Sequence, residues 1–261
     1  MSLLRKLSLV TGSTSGIGLG IAKKFASEGS NLIIHGLGQE DEIKNLCNNL
    51  EKEYKIKANY VEGNLTSVNS IEKMMKEINN NYGGVDILVN NAGIQYVSPI
   101  EEFPVEKWDQ IIAINLSSVY HTTRLALPQM KQKNWGRIIN IASVHGLVAS
   151  VNKSAYVAAK HGVVGFTKVT ALENAQTGIT ANAICPGWVL TALVEAQIQA
   201  RATANNQTFE QAKISLLTEK QPSGEFVTTD QLGSLALFLS SDAASEIRGV
   251  AWQMDGGWTA Q

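Results

Sequence analysis

The chain has 261 residues, of which 44% are hydrophobic, and it carries 22 Lys and Arg against 23 Asp and Glu for a net charge of −1. This near-neutral balance without a basic run argues against nucleic acid as the main partner, and the lack of a long apolar run or apolar leader argues against a membrane span and a secretory signal. Because only two cysteines are present, Cys47 and Cys185, we expect reduced thiols in a cytoplasmic protein.

The first predicted strand, Leu7 to Thr11, leads into a glycine-rich turn with the spacing G-x-x-x-G-x-G. Its glycines are Gly12, Gly16 and Gly18, and an amphipathic helical pattern follows. Glycine allows the backbone to turn tightly and to approach a pyrophosphate, whose charge is favoured at the N-terminus of the next helix. Such a turn alone is weak evidence, but its position after the first strand favours a dinucleotide site.

The rest of the chain alternates strands with helices. Strands are predicted at residues 31–35, 58–62, 85–89, 137–141, 180–184 and 250–254, and helices at 40–52, 67–81, 105–131, 154–176 and 229–240. A polar helical insertion is predicted from 191 to 217. Since most strands are short continuous apolar runs, they fit a parallel sheet covered on both faces. The sequence predicts one α/β domain over residues 1–261, with a Rossmann-type doubly wound fold, a seven-stranded parallel sheet and helices on both faces.

Several polar or turn-forming residues directly follow predicted strands. They are Gly12, Asn64, Asn90, Ser143 and Pro186. Ligands of doubly wound sheets bind outside the carboxyl ends of the strands, near the point where the strand order switches. We therefore expect these residues to meet along one edge of the sheet, and we expect the ligand site there.

Tyr156 and Lys160 stand at positions i and i+4 of the predicted helix 154–176, which places both side chains on one face. A phenol alone has a pKa near ~10 and is a poor base at neutral pH, but a neighbouring ammonium favours the phenolate and lowers that pKa. The pair suits proton transfer at a hydroxyl or carbonyl group. Taken alone, this spacing is more typical of a surface Tyr and Lys, so the interpretation depends on the other motifs.

With these motifs in order, the chain resembles the short-chain dehydrogenase/reductase family along nearly its whole length. The matching features are Thr11 to Gly18, Asn90-Asn91-Ala92-Gly93, Asn115, Ser143, Tyr156, Lys160, and Pro186-Gly187 with Thr191. The resemblance implies a nicotinamide cofactor and a catalytic tetrad. Tyr156 would take or give the hydroxyl proton while Ser143 hydrogen-bonds the substrate oxygen. Lys160 would lower the pKa of Tyr156 and hold the nicotinamide ribose, and Asn115 would anchor a water that passes the proton on.

The resemblance also implies the residues that bind the cofactor. They are Gly12, Thr14, Ser15, Gly16, Ile17, Gly18, Leu37, Asn64, Leu65, Asn91, Ala92, Gly93, Tyr156, Lys160, Pro186, Gly187, Val189 and Thr191. Asn64 stands where the family usually has Asp, and its amide oxygen is expected to accept from the adenine amino group. NADP-dependent relatives usually carry Arg or Lys near the end of the second strand. Here His35 is the only candidate cation, and it is expected to point into the core. The Asp that is typical of NAD-specific relatives is also missing. Because no cation is expected at the 2′-phosphate position, we favour NAD.

Around the predicted substrate pocket, the chain more closely resembles bacterial D-3-hydroxybutyrate dehydrogenases. The residues that carry this likeness are Gln95, His145, Lys153, Trp188, Gln197 and Trp258. Each residue alone more often has a structural role, but the polar members together supply the converging donors and the single cation that a small carboxylate needs. With Ser143 and Tyr156 they predict a site for a small hydroxy or keto acid. The resemblance implies that this acid is (R)-3-hydroxybutyrate, converted to acetoacetate as in ketone body metabolism. No metal is expected.

Two other functions stay open at this point. A reductase of 3-oxoacyl thioesters that uses NADPH would need cations near the 2′-phosphate and no cation at a buried carboxylate end. A dinucleotide-binding regulator without turnover would be expected to lack part of the tetrad.

The resemblance further implies a homotetramer. The insertion from Thr191 to Leu217 is expected to form a lid that expels water and brings Gln197 to the site.

Overall fold

The computed structural model of the protein describes residues 2–260. The strands are β1 (Leu7–Val10), β2 (Asn31–Ile34), β3 (Ala58–Tyr60), β4 (Ile87–Asn90), β5 (Gly136–Ile141), β6 (Ile179–Pro186) and β7 (Ala251–Met254). The helices are α1 (Gly16–Ser27), α2 (Glu40–Tyr54), α3 (Val68–Tyr82), α4 (Val105–Ile112), α5 (Ser118–Lys133), α6 (Ser154–Glu173), α7 (Ala192–Asn205), α8 (Phe209–Lys220) and α9 (Thr229–Ser240). The predicted strands are all present, with ends that differ by a residue or two.

These strands form one parallel sheet in the order β3-β2-β1-β4-β5-β6-β7. The predicted doubly wound parallel sheet is therefore confirmed. After β3 the chain returns to the centre of the sheet and pairs β4 with β1, so the strand order switches between these two strands. A crevice outside the carboxyl ends of β1 and β4 is the expected ligand position for this topology.

The apolar runs of the strands are explained by burial on both faces of the sheet. Side chains alternate between the two faces along each strand. Leu9 packs in one cluster with Met74 of α3, and the next residue, Val10, packs in the other with Phe25 of α1. Helices α1 and α9 pack against each other, as do α3 and α5. Both layers therefore require apolar residues at successive strand positions.

The helix predicted over residues 105–131 is interrupted in the structure. It divides into α4, a π-helical turn (Ala113–Ser117) and α5. The N–H of Ser118 bonds to the carbonyl of Ala113, five residues back. No glycine or proline lies in residues 105–117 to signal the break locally, and Pro128 lies well beyond it, inside α5. Single π-turns within helices frequently occur at functional sites, and this one carries the buried Asn115.

The region predicted as a polar insertion folds as the two helices α7 and α8, and it extends to Lys220 rather than Leu217. Its inner face is apolar: Ile198 and Leu217 pack in one cluster with Trp188 and Trp258. The two helices thus lie against residues that were predicted to line the substrate site. Within residues 2–260, no helix has the length and apolar character needed to cross a membrane.

Candidate active site

A cavity of about 860 Å³ opens at the carboxyl ends of the strands. The predicted residues that line it are Gly12, Thr14, Ser15, Gly16, Ile17, Leu37, Asn64, Leu65, Asn91, Ala92, Gly93, Gln95, Ser143, His145, Lys153, Tyr156, Lys160, Pro186, Gly187, Trp188, Val189, Thr191, Gln197 and Trp258. The residues predicted for the cofactor and those predicted for the substrate therefore share one cavity.

Three predicted positions lie behind the cavity wall. Gly18 packs α1 against the glycine turn, and an added Cβ there would clash with the carbonyl of Gly12. Asn115 is fully buried. Asn90 was expected at the ligand edge, but its side chain bonds to Asn140 at 2.9 Å and to Thr122 at 2.6 Å inside the core. These residues support the cavity wall from behind.

The glycine turn forms a cradle at the start of α1. The φ angles of Gly12 and Gly16 are 66° and 55°, which disfavour other residues. A Cβ at Gly12 would come within 3.1 Å of the Cα of Ala92, so the turn approaches the end of β4 closely. A helix N-terminus beneath such a turn offers backbone N–H groups and a favourable dipole to phosphate. This cradle fits the pyrophosphate of a dinucleotide.

His35 is buried under the glycine turn, as expected, with 4% of its surface exposed. Its Nδ1 accepts the Gly12 N–H at 3.3 Å, so its Nε2 carries the hydrogen that is donated to the Gly63 carbonyl at 2.9 Å. Burial lowers the pKa of His35, and the ring is neutral. Among the described residues that line the cavity, Lys153 and Lys160 are the only lysines or arginines. His35 therefore supplies no charge for a 2′-phosphate.

The structure corrects the expected role of the Asn64 oxygen. That oxygen accepts the backbone N–H of Thr66 at 3.0 Å and the Thr66 hydroxyl at 2.8 Å. An amide oxygen has two lone pairs, and these two donors use both. Hence the oxygen is not available to the adenine amino group, and the amide nitrogen, a donor, is what Asn64 offers to a ligand.

Asn115 uses its side chain to hold the segment after β4. Its Oδ1 accepts the Ile94 N–H at 2.9 Å, and its Nδ2 donates to the Ile94 carbonyl at 2.8 Å. A Cβ added to Gly93 would lie 3.4 Å from Asn115 Oδ1 and 3.8 Å from Lys160 Nζ. Asn115 and Lys160 therefore flank the same backbone, and Asn115 fixes the residue that precedes Gln95.

Lys160 and Tyr156 lie side by side at the end of β5. The Nζ of Lys160 is 5.6 Å from the ring centroid of Tyr156 and donates to the Ile141 carbonyl at 2.7 Å. Burial lowers the pKa of Lys160 to about 8. Burial also raises the pKa of Tyr156, and a hydrogen bond with Ser143 opposes this rise only in part. The predicted lowering of the Tyr156 pKa is therefore wrong for this structure, because removing a phenolate from water costs more than the neighbouring groups return.

Both ring nitrogens of His145 are engaged next to Ser143. Its Nδ1 is 3.4 Å from the Ser143 hydroxyl, and its Nε2 is 2.9 Å from the hydroxyl of Ser150. Burial, followed by the charge of Lys153, lowers the pKa of His145 to about 3, so the ring is neutral. His145 was predicted to donate a hydrogen bond to a substrate carboxylate. In this arrangement both of its ring nitrogens are already engaged, so it has no free N–H to donate.

Three side chains from distant parts of the chain form a polar cluster in the cavity. The amide oxygen of Gln197, on α7, accepts from Lys153 Nζ at 3.4 Å and from Gln95 Nε2 at 3.3 Å. Lys153 is buried, which lowers its pKa to about 8, and its Nζ lies 4.9 Å from the ring centroid of Trp188. An ammonium and an amide N–H that converge on one oxygen are the donors a carboxylate needs.

Aromatic rings close the remaining side of this cluster. The ring centroids of Trp188 and Trp258 are 5.5 Å apart, and His145 lies edge-on to Trp258 at 5.4 Å and to Tyr156 at 5.9 Å. The rings connect the polar cluster to the predicted catalytic tyrosine. They leave an apolar wall suited to the hydrocarbon part of a small substrate.

Sequence reasoning missed several residues of the site. Ile94 provides the backbone held by Asn115, Ser150 bonds to His145, and Leu193 and Val194 line the cavity from α7. Ile94 and Leu193 lie within two positions of predicted residues, so motif neighbours were the available signal. Ser150 belongs to no motif, and only the folded loop shows its contact.

Comparisons with known proteins agree with this geometry. Residues 6–202 match the family described as short chain dehydrogenase. The chain is 62% identical over 256 residues to the D-beta-hydroxybutyrate dehydrogenase of Cupriavidus necator, covering 98% of both chains. It is 51% identical over 258 residues to the D-beta-hydroxybutyrate dehydrogenase of Rhizobium meliloti, covering 99% of this chain and 100% of that one. The L-sorbose reductase of Gluconobacter frateurii, solved with NADPH and L-sorbose, aligns with a TM-score of 0.94 at 27% identity over 100% of this chain and 98% of that chain.

Proposed function

The chain belongs to the short chain dehydrogenase family, and on that premise we propose that it oxidises (R)-3-hydroxybutyrate to acetoacetate with NAD. The observation that carries the substrate assignment is the Gln197 oxygen held by Lys153 and Gln95. A carboxylate oxygen can replace this amide oxygen and accept the same hydrogen bonds with the added benefit of charge. The two D-beta-hydroxybutyrate dehydrogenases that are 62% and 51% identical support the same activity.

The proton is handled by Tyr156 in this proposal. Its hydrogen bond with Ser143 favours the phenolate against the cost of burial, and the Nζ of Lys160 lies 5.6 Å from the centroid of its ring. As the substrate is oxidised, Tyr156 takes its hydroxyl proton while Ser143 donates a hydrogen bond to the reacting oxygen. When bound, NAD supplies the nicotinamide ring that accepts the hydride, and its positive charge adds to that of Lys160.

The substrate is held at both ends. Lys153 and Gln95 would bind its carboxylate, and Gln197 would turn its amide N–H toward the carboxylate to join them. Trp188 and Trp258 would cover the hydrocarbon part. Holding the carboxylate fixes the hydroxyl-bearing carbon relative to Tyr156, and such positioning is a large part of enzymatic rate enhancement.

The choice of NAD over NADP is supported by the adenosine end of the cavity. His35 is neutral, Leu37 is 94% exposed, and Glu62 contributes an acidic side chain to the cavity lining. A 2′-phosphate carries charge that needs a cation or several donors. Glu62 would repel the 2′-phosphate of NADP, and neither His35 nor Leu37 would form an ion pair with it.

The proposal is tested by the formation of NADH with a panel of hydroxy acids. The panel should contain (R)- and (S)-3-hydroxybutyrate, lactate and malate, each with NAD and with NADP. We expect rapid NADH formation with (R)-3-hydroxybutyrate and NAD. Absence of turnover with this pair, while another acid is oxidised, would refute the substrate assignment and leave the family membership intact.

The alternative of an NADPH-dependent 3-oxoacyl thioester reductase fits less well. It has no use for the buried ammonium of Lys153, because a neutral thioester offers no counter-charge and leaves the ammonium only the neutral amide oxygen of Gln197. A buried charge without a counter-charge is costly. A regulator without turnover fits poorly as well, since Asn115, Ser143, Tyr156 and Lys160 are all present. Acetoacetyl thioester reduction with NADPH in the same assay would separate the first alternative from the proposal.

The segment from Thr191 to Leu217 serves as the substrate lid in this proposal. Its Gln197 reaches the polar cluster, and its apolar face packs on Trp188 and Trp258. The lid opens to admit the substrate and closes to expel water. Limited proteolysis within this segment should become slower with NAD and substrate; equal rates with and without them would argue against closure.

A homotetramer is the proposed assembly. Tyr120, Val169 and Leu172 are 50%, 51% and 76% exposed, and Tyr120 contacts Phe166 of α6, so these apolar side chains lie on neighbouring helices. Their burial between subunits would be favourable. Light scattering should give a mass near four chains, and a monomer would exclude this assembly. A cytoplasmic location stays a prediction from cysteine usage.

A further inference from the structure

The hydroxyl of Ser143 has three hydrogen-bonding neighbours, and two of them belong to His145. Its oxygen accepts the backbone N–H of His145 at 3.1 Å and lies 3.4 Å from the Nδ1 of the same residue. It also shares a hydrogen bond with the phenol of Tyr156. The direction in which Ser143 donates its single hydrogen therefore depends on whether His145 Nδ1 is a donor or an acceptor.

The far nitrogen of His145 meets a residue outside every motif. The Nε2 is 2.9 Å from the hydroxyl of Ser150, which lies in the loop between β5 and α6. That contact is the only side-chain hydrogen bond of Ser150 in the described part of the chain. The ring is neutral because burial lowers the pKa of His145 to about 3, so it carries one hydrogen, on Nδ1 or on Nε2.

The two tautomers have opposite consequences for the site. With the hydrogen on Nε2, Nδ1 is an acceptor, and it draws the Ser143 hydrogen away from the cavity. With the hydrogen on Nδ1, the Ser143 oxygen accepts two donors from His145, and its own hydrogen can point only toward Tyr156 and the reacting oxygen. A serine hydroxyl can serve either tautomer, donating to Nε2 in the second arrangement or accepting from Nε2–H in the first. Only in the second does the Ser150 hydrogen have a protein acceptor among the side-chain hydrogen bonds of the described residues.

We propose that Ser150 is a positioning residue: by donating to His145 Nε2, it holds the ring in the Nδ1–H tautomer and directs the Ser143 hydroxyl at the substrate oxygen. This inference rests on the proposed function for the identity of the substrate, but the tautomer itself does not. Ser150 touches neither the reacting atoms nor the carboxylate cluster, and it acts through His145 and Ser143.

The test combines nitrogen NMR with kinetics on three variants. Ser150→Ala removes the hydroxyl, Ser150→Thr keeps it, and Ser98→Ala is the matched control. Ser98 lies in a neighbouring loop, and its backbone N–H, which alanine retains, bonds to the Asn152 carbonyl at 2.9 Å. The ¹⁵N shifts of His145, assigned with a His145→Asn variant, report which nitrogen carries the hydrogen in each protein.

We expect Nδ1–H in the parent protein, in Ser150→Thr and in Ser98→Ala, and a shift toward Nε2–H in Ser150→Ala. Turnover of (R)-3-hydroxybutyrate by Ser150→Ala should fall about ten-fold in kcat with little change in KM. This loss is smaller than the ~10²–10³ found when an oxyanion donor is removed, because Ser143 itself remains. Ser150→Thr should restore kcat.

Several outcomes would overturn the inference. An Nε2–H ring in the parent protein, or an unchanged tautomer in Ser150→Ala, would exclude the proposed positioning role. A loss of kcat that threonine does not restore, or a loss shared equally by Ser98→Ala, would indicate a structural effect on the loop. If the parent protein has the Nδ1–H ring but does not oxidise 3-hydroxybutyrate, then the proposed function fails and the tautomer assignment stands.

Discussion

The cofactor end and the substrate end of the cavity are built in different ways. At the cofactor end, the backbone of the glycine turn and the start of α1 make the cradle, and side chains such as His35 mainly support it. At the substrate end, three side chains from distant segments meet: Lys153 and Gln95 both donate to the amide oxygen of Gln197. The first region therefore depends on backbone shape, and the second depends on the chemistry of individual side chains.

This difference determines how each end should respond to substitution. Removing one side chain at the substrate end should alter turnover or KM and leave cofactor binding nearly unchanged. A change at the cofactor end should act on dinucleotide affinity and preference. The division fails if single substitutions at the substrate end weaken both functions equally.

The largest effect is expected for Tyr156→Phe. This change removes the proton-transferring hydroxyl and keeps the ring that packs against His145. Positioned acid–base catalysis typically contributes ~10²–10⁴ in rate, so kcat should fall by that factor. Fluorescence titration should give a Kd for NAD close to that of the parent enzyme. Near-normal turnover would remove Tyr156 from the mechanism.

The next largest effect is expected for Lys153→Ala. A charge-assisted hydrogen bond contributes roughly 1.5–3 kcal/mol, and each 1.36 kcal/mol is about a factor of ten, so kcat/KM for (R)-3-hydroxybutyrate should fall about ten- to a hundred-fold. The Kd for NAD should not change. Lys107→Ala, which lies on α4 away from the cavity, is the control and should leave kcat/KM unaltered. A comparable loss in the control would point to a general effect of surface charge.

The pH dependence of KM should report the same lysine. Burial lowers the pKa of Lys153 to about 8, so the ammonium is present below that pH and is lost as the pH rises through it. We expect KM for the acid to rise by up to about ten-fold between about pH 7 and 9, since one unit above the pKa leaves about a tenth of the group charged. Lys160 has a similar pKa, about 8, but does not contact the cluster. The KM of Lys153→Ala should therefore be nearly independent of pH, and a retained slope would assign the titration to another group.

The smallest effect is expected at the cofactor end. Leu37 is 94% exposed beside the adenosine side of the cavity, where Leu37→Arg would introduce a cation. Exposed ion pairs contribute about 0.2–1 kcal/mol, so the preference for NAD over NADP in kcat/KM should narrow by only about two- to five-fold. Leu37→Gln is the uncharged control. A higher kcat/KM with NADP than with NAD in the parent enzyme would contradict the assignment of NAD.

The two ends also differ in how far the sequence predicts them. The sheet and the glycine turn can be predicted from local sequence. Short apolar runs indicate buried parallel strands, and Gly12 and Gly16 indicate a tight turn that other residues disfavour. The polar cluster does not, since Gln95 and Gln197 are far apart in the chain and only the fold brings them to Lys153. A resemblance to relatives, rather than periodicity or spacing, was the source of that prediction.

Electrostatics and exact hydrogen-bond partners were the least predictable features. The spacing of Tyr156 and Lys160 correctly places the two side chains together, but the direction of the Tyr156 pKa depends on how deeply the phenol is buried. The role expected for the Asn64 oxygen failed because Thr66 already uses it. The π-turn at Asn115 also has no local signal, since it depends on packing around an extra residue in the helix.

The central claim is that a charged carboxylate is recognised beside Tyr156, and comparing (R)-3-hydroxybutyrate with its methyl ester tests it most directly. The two compounds share the reacting carbon and differ in the charge offered to Lys153. We predict that the parent enzyme has a kcat/KM for the acid about ten- to a hundred-fold above that for the ester, and that Lys153→Ala lowers the value for the acid alone. An ester that is as good a substrate as the acid for the parent enzyme would contradict the carboxylate site and favour the thioester reductase.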